Sequence, residues 1–224
     1  MKTMKILNLY ACLGGNRYKW NDVKTDIEVT AVELDYECAR LYQERFPNDK
    51  VIIADAHQYL LDLKNSGELD SFSFVWSSPP CPSHSRMRLT NTGQGERKSK
   101  ATYPDMKLYE EIIFLKHFFK GKYCVENVIP YYEPLILAKK RGRHLYWTNF
   151  NLPNDLKERK ASNFINSKVG DLSDFHDYDF RKYKGNQRVD KIARNLVDYE
   201  AGKTIFKTVL GIYKQQNTNQ KSIF

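Results

Sequence analysis

The chain of 224 residues is 41% hydrophobic and 28% charged, which places it among globular proteins and excludes an intrinsically disordered one. Its formal charge of +9 favours polyanionic partners such as nucleic acid or membrane headgroups, and its longest apolar runs, 51–54 and 112–115, are far too short to cross a bilayer. The four cysteines, Cys12, Cys38, Cys81 and Cys124, are widely spaced without a Cys-x-x-Cys pair, which argues against a zinc site or any other metal centre.

The N-terminus runs directly into an apolar strand, with no signal-peptide features, so a cytoplasmic chain with reduced thiols is expected. Apolar runs at 5–10, 27–33, 51–54, 71–76 and 123–126 predict buried strands. Between them, 36–46, 56–64 and 105–119 carry apolar residues at helical spacing. This alternation predicts an α/β fold, a mostly parallel sheet with helices on both faces. Ligands in such folds bind beyond the carboxyl ends of the strands.

Two stretches break the pattern. Residues 82–103 are polar and glycine-containing, with Arg86, Arg88, Arg97, Lys98 and Lys100 against one acid, Glu96. A loop this long is expected to be functional or disordered. Residues 151–187 are polar and aromatic without clean periodicity, and predict a small inserted region. Helical spacing returns over 192–212, through Ile192, Leu196, Tyr199, Ile205, Phe206, Val209 and Leu210, and a frayed tail follows from 215.

Residues able to carry chemistry fall at the predicted strand ends. Cys81, in Ser77-Ser78-Pro79-Pro80-Cys81-Pro82-Ser83, follows a strand on a stiff turn whose prolines fix torsions and remove amide donors. A free cysteine is ordinarily an inert buried hydrophobe; this one opens a basic loop, as a preorganised nucleophile would. Glu126 ends another strand, where an acid commonly caps the next helix. Arg141 and Arg143 alternate before the apolar stretch 144–150, so they can share one face, although a solvated basic edge is the usual reading. The first strand runs into Gly14-Gly15, where a ligand can approach the backbone. Glu33 and Asp55 end the second and third strands and can accept hydrogen bonds from a ribose and an adenine amino group; Asp55 also suits a helix cap.

In this order the motifs resemble those of the C5-cytosine DNA methyltransferases, closely over 5–150 and loosely over 188–212. Leu9-Tyr10-Ala11-Cys12-Leu13-Gly14-Gly15 resembles the family's first motif, and Pro79-Pro80-Cys81 its nucleophile motif, with Ser85 on the family's serine. Glu126-Asn127-Val128 is similar to its Glu-Asn-Val motif, Lys139-x-Arg141-x-Arg143 to Gln-x-Arg-x-Arg, and Arg194-Asn195-Leu196-Val197 to the final Asn-x-Val motif. The resemblance implies a Rossmann-like fold that binds S-adenosylmethionine and methylates carbon 5 of a cytosine flipped out of double-stranded DNA, through a covalent cysteine adduct. Such chemistry needs a thiolate to add at carbon 6, an acid near ring nitrogen 3 and a cation near oxygen 2. It puts catalysis on Cys81, Glu126, Arg143, Arg141, Asn127 and Ser85. Cofactor contacts fall on Tyr10, Ala11, Cys12, Leu13, Gly14, Gly15, Glu33, Leu34, Asp55, Ala56, Pro79 and Asn195.

The implied organisation is a catalytic domain over 1–150, a target-recognition region over 151–187 and a returning helix with its tail over 188–224. Full-length relatives carry longer recognition regions, so a short target or relaxed specificity is expected, and the compact design resembles bacteriophage enzymes acting as monomers in a bacterial or infected cell. Asn8 stands where the family has aspartate, Cys12 where it has glycine, Pro82-Ser83 where Gln-Gly is common and Lys139 where glutamine is typical. Three alternatives stay open: methylation of an exocyclic amine, to which Ser78-Pro79-Pro80 is half similar but which lacks the aromatic residue at position 81; methylation of RNA; and an inactive nucleic-acid-binding homologue, suggested by Asn8 and Cys12.

Overall fold

Strands form where the apolar runs lie in the computed structural model, which describes residues 3–86, 102–156, 159 and 166–214. They are β1 (Met4–Leu9), β2 (Ile27–Glu33), β3 (Lys50–Ile53), β4 (Phe74–Ser77), β5 (Lys122–Val128), β6 (Lys139–Arg141) and β7 (His144–Thr148). One sheet holds them in the order β3-β2-β1-β4-β5-β7-β6. The first five pair in parallel, and β7 runs antiparallel to both β5 and β6. The winding direction reverses between β1 and β4, which leaves a crevice at their carboxyl ends. This is a Rossmann-like α/β architecture, the mostly parallel sheet that the alternation of strands and helices predicted.

Successive strand residues point to opposite faces, so each central strand feeds two cores. Ile6, Phe74, Trp76 and Cys124 pack with Trp20, Ile205 and Phe206 on one side. Leu7, Val75 and Val125 pack with Leu60, Ile112 and Leu115 on the other. Burial on both faces is why these strands read as unbroken apolar runs. The predicted fourth strand, 71–76, starts later than expected because Leu69–Ser71 forms a single 3-10 turn that buries Leu69.

The helices are α1 (Tyr36–Arg45), α2 (Ala56–Asn65), α3 (Lys107–Phe118), α4 (Val169–His176), α5 (Val189–Asn195) and α6 (Tyr199–Val209). Asp35 and Asp55 cap α1 and α2 by accepting the amides of Cys38 and Gln58. No helix among the described residues is long and apolar enough to cross a membrane. The expected single run of helix over 192–212 is two helices, broken at Leu196-Val197-Asp198 where Asp198 caps α6 by accepting the Glu200 amide. Gly202 on α6 allows a close approach to the loop after β1, since a Cβ there would lie 2.2 Å from the Asn16 carbonyl oxygen.

The segment read as aperiodic contains α4, whose 8 residues are too short to display a clear helical period. Leu172, Phe180 and Tyr183 pack against Cys38 and Leu41 of α1 and against Ile192 and Leu196. The described part of 166–187 therefore rests on the helix that begins beside the crevice. Beneath the glycine turn lies a buried polar group: Arg17 makes two 2.9 Å bonds to Asp49, which also accepts the Tyr42 hydroxyl at 2.9 Å. Asn16 donates to Asn8 alongside, at 2.8 Å.

Candidate active site

A cavity of about 520 Å³ opens at the carboxyl ends of β1, β2, β4 and β5. The wall that carries Cys81 is made locally by the proline turn. β4 ends at Ser77, the Trp76 indole donates to the Ser78 hydroxyl at 2.8 Å, and the Asn127 side-chain amide donates to the Pro79 carbonyl at 2.9 Å. The amides of His84 and Ser85 both donate to the Cys81 carbonyl at 3.0 Å, turning the chain directly after the thiol. Asn127 is thus a clamp from β5 onto the turn that carries Cys81.

Cys81, Glu126, Asn127 and Arg143 line this cavity together. Glu126 is only 7% exposed, and His144 Nε2 stands 3.5 Å from its Oε1. Burial, and then the Glu126 charge, push the Cys81 thiol up from its ordinary range, opposed by its backbone amide and by Lys191. The resting thiol is therefore protonated near neutrality. Alkylation of Cys81 by iodoacetamide, followed by peptide mass spectrometry, should still accelerate about tenfold per pH unit beyond the ordinary thiol value of about 8.5. Glu126→Gln should raise the rate severalfold at fixed pH. A plateau below about pH 8 would contradict the raised thiol.

The opposite end of the cavity is lined by Tyr10, Ala11, Cys12, Gly15, Glu33, Leu34, Asp55 and Ala56. The Glu33 carboxylate accepts the amides of Cys12 at 2.7 Å and Asp35 at 2.8 Å. Burial nevertheless pushes this carboxyl up, outweighing those bonds. Tyr10 and Cys12 hold φ values of 56° and 47° in the left-handed region that favours glycine. Cys12, where the resembled motif has glycine, thus keeps a glycine-like backbone.

Several sequence expectations land elsewhere. Arg141 and Arg143 do not share a face, because the chain reverses between β6 and β7 and Arg143 sits in that turn after Gly142. The Arg141 guanidinium instead donates to the carbonyls of Leu152 and Pro153 and to Asn154, outside the cavity. Ser85 bridges to Pro130 rather than lining the cavity. Leu13 is core, and the space beside the turn glycines is filled by protein: a Cβ at Gly14 would meet Phe46 at 2.4 Å and one at Gly15 the Val197 carbonyl at 2.3 Å. Asn195 and Pro79 do line the cavity. Of the long loop expected over 82–103, residues 87–101, with Arg88, Arg97, Lys98 and Lys100, lie outside the described residues.

The structure adds residues that the sequence reading missed. Arg159, Lys191, Gln187 and Phe175 complete the cavity wall. Arg159 pairs with Asp198 at 2.9 Å and lies over the Tyr199 ring at 3.6 Å and the Phe175 ring at 4.1 Å. Asp35 carried a usable signal, a helix cap two residues after Glu33; Arg159 and Phe175 carried none.

Residues 4–128 match the family described as C-5 cytosine-specific DNA methylase, more than half of the 224 residues. The chain belongs to that family. The match takes in β1 to β5, and with them Glu33, Asp55, Cys81 and Glu126 of the methylase. The elements that bring Arg143, Arg159, Lys191 and Asn195 to the same cavity follow the matched residues.

Among solved structures, a hypothetical protein of Thermus thermophilus is 18% identical, with 64% of this chain and 73% of that chain covered and a TM-score of 0.42. The Spodoptera frugiperda DNMT2 mutant is 22% identical over 56% of this chain and 35% of that one, with a TM-score of 0.36. A prophage-encoded E. coli protein assigned as a DNA modification methyltransferase is 16% identical over 58% and 34%, with a TM-score of 0.37. The chain thus spans about a third of the last two, and all three likenesses are faint. Comparison with curated proteins returned no match.

Proposed function

We propose that the protein transfers a methyl group from S-adenosylmethionine to carbon 5 of a cytosine in double-stranded DNA, through a covalent adduct with Cys81. The observation that carries this reading is one cavity holding Cys81, Glu126 and Arg143 at one end and Glu33, Leu34 and Asp55 at the other. That second end fits the cofactor. Each Glu33 oxygen already accepts one amide and retains a lone pair for a ribose hydroxyl, while Leu34, Ala54 and Ala56 offer an apolar wall to a base.

In this reading Cys81 gives its proton to solvent and its sulfur bonds to carbon 6 of the flipped base, moving the double-bond pair onto carbon 5. Glu126 holds a proton at ring nitrogen 3, and Arg143 faces oxygen 2, so the charge that develops is met by fixed partners. The cofactor, when bound, supplies the electrophilic methyl group that carbon 5 takes. Loss of the carbon 5 proton to solvent water then restores the double bond and expels the Cys81 thiolate. The +9 charge supports a phosphate-bearing partner, and the short 151–187 segment supports a short or relaxed target.

The test is product identity. The protein is incubated with methyl-labelled cofactor and either duplex DNA or RNA of the same sequence, and the nucleosides are resolved by mass spectrometry. The expected product is 5-methyl-2'-deoxycytidine from the duplex. An N4-methyl product, or methylation of the RNA alone, overturns the reading.

A further inference from the structure

Glu111 on α3 is fully buried, lies outside the cavity, and gathers donors from three different elements. The Tyr10 hydroxyl donates to its Oε1, His57 Nδ1 stands 3.2 Å from the same oxygen, and the Ser77 hydroxyl donates to its Oε2 at 2.7 Å. Each of these three residues abuts the site. Tyr10 lines the cavity and follows β1; Ser77 ends β4, four residues before Cys81; His57 follows Asp55 and Ala56 at the start of α2. Leu9 and Ser77 are partners in adjacent strands, so Glu111 lies where the cofactor turn and the nucleophile turn leave the sheet side by side.

Tyr10 sits at a φ of 56°, a conformation a tyrosine holds only when its surroundings over-determine it. Its hydroxyl bond to Glu111 is a constraint of that kind. Burial and the Glu111 charge push the Tyr10 hydroxyl up, and the Glu111 bond pushes the His57 imidazole up. We propose that Glu111 is a positioning residue, which sets the cofactor turn at Tyr10 against the nucleophile turn at Ser77 by accepting from both. The inference rests on the methyl-transfer reading of the cavity. A buried carboxylate that served stability alone would leave ligand affinity of the folded protein unchanged.

The test is a double-mutant cycle on the Kd of S-adenosylhomocysteine, titrated by calorimetry into the full chain, with thermal melting of each variant alongside. Y10F and E111L should each weaken binding about tenfold, and Y10F should add nothing in the E111L background. E111Q keeps an Oε1 acceptor for Tyr10 and His57, and its amide nitrogen can donate to the Ser77 hydroxyl, so that both turns stay tied with that one bond reversed. It should bind within about threefold of the unmodified chain. Additive effects of Y10F and E111L, or a lower melting temperature with unchanged Kd, would overturn the role of Glu111. Should E111L fail to fold, Y10F alone carries the test, and an unchanged Kd refutes it. An unmodified chain that binds no S-adenosylhomocysteine is a different result: it overturns the methyl-transfer reading, and this inference with it.

Discussion

Replacing Cys81 by serine will abolish covalent capture of duplex DNA carrying 5-fluorocytosine and will lower methyl transfer by on the order of 10⁴-fold or more. The two side chains differ little in size, and residue 81 lies at the cavity wall rather than in the core, so folding and cofactor affinity should be retained. What changes is the nucleophile. A hydroxyl ionises far less readily than a thiol and is a poorer leaving group, so both formation and collapse of the adduct are lost. The fluorine separates these steps, because a fluorinated carbon 5 has no proton to lose and the adduct accumulates on denaturing gels. Glu126→Gln should show a smaller loss, on the order of 10² to 10³-fold, since an amide can still bond the ring but cannot protonate it. Persistence of the adduct in Cys81→Ser would remove Cys81 from the mechanism.

The largest stability effect is expected at Asp49, which does not line the cavity. Asp49→Ala should cost about 3–5 kcal/mol of unfolding free energy, read from urea denaturation, or roughly 6–20 °C in melting temperature. The Arg17 and Asp49 side chains are 5% and 4% exposed, so neither can turn to water when its partner is removed. Arg17 also lies over the Phe46 ring at 5.0 Å, and that ring, with Tyr42, closes the space behind Gly14. Deleting the carboxylate leaves a guanidinium in an apolar pocket and frees the Tyr42 hydroxyl. The Arg17→Met, Asp49→Leu double variant removes both charges and should cost much less than the sum of the single variants. A loss below about 1 kcal/mol for Asp49→Ala would show that the pocket admits water and that the pair contributes little.

Local pattern carried much of the fold. β2 spans the residues its apolar run predicted, 27–33, and α1 and α2 begin at the predicted Tyr36 and Ala56 because Asp35 and Asp55 supply a chemically specific start. Ends were less legible where two short elements abut: the turn at 69–71 delayed β4, and the cap at Asp198 divided the final helix. A capping aspartate inside an apolar-periodic run differs from any other polar residue only once its side chain has met the next amide.

The sequence by itself determined that Cys81 leaves a buried strand on a proline turn, and that acids end the strands around it, because strand period and proline geometry act over a few residues. Only the tertiary structure decided which arginine reaches the cavity. Arg141 and Arg143 are indistinguishable in spacing, and the reversal at Gly142 sends one to the Leu152 and Pro153 carbonyls and the other to the cavity wall. It decided equally that Glu111 joins Tyr10, 101 positions away, to Ser77, 34 away, and that Arg159 stacks on Tyr199. Those contacts exist because sheet order and helix packing bring distant segments together, and no local pattern in a sequence encodes which distant side chain will be met.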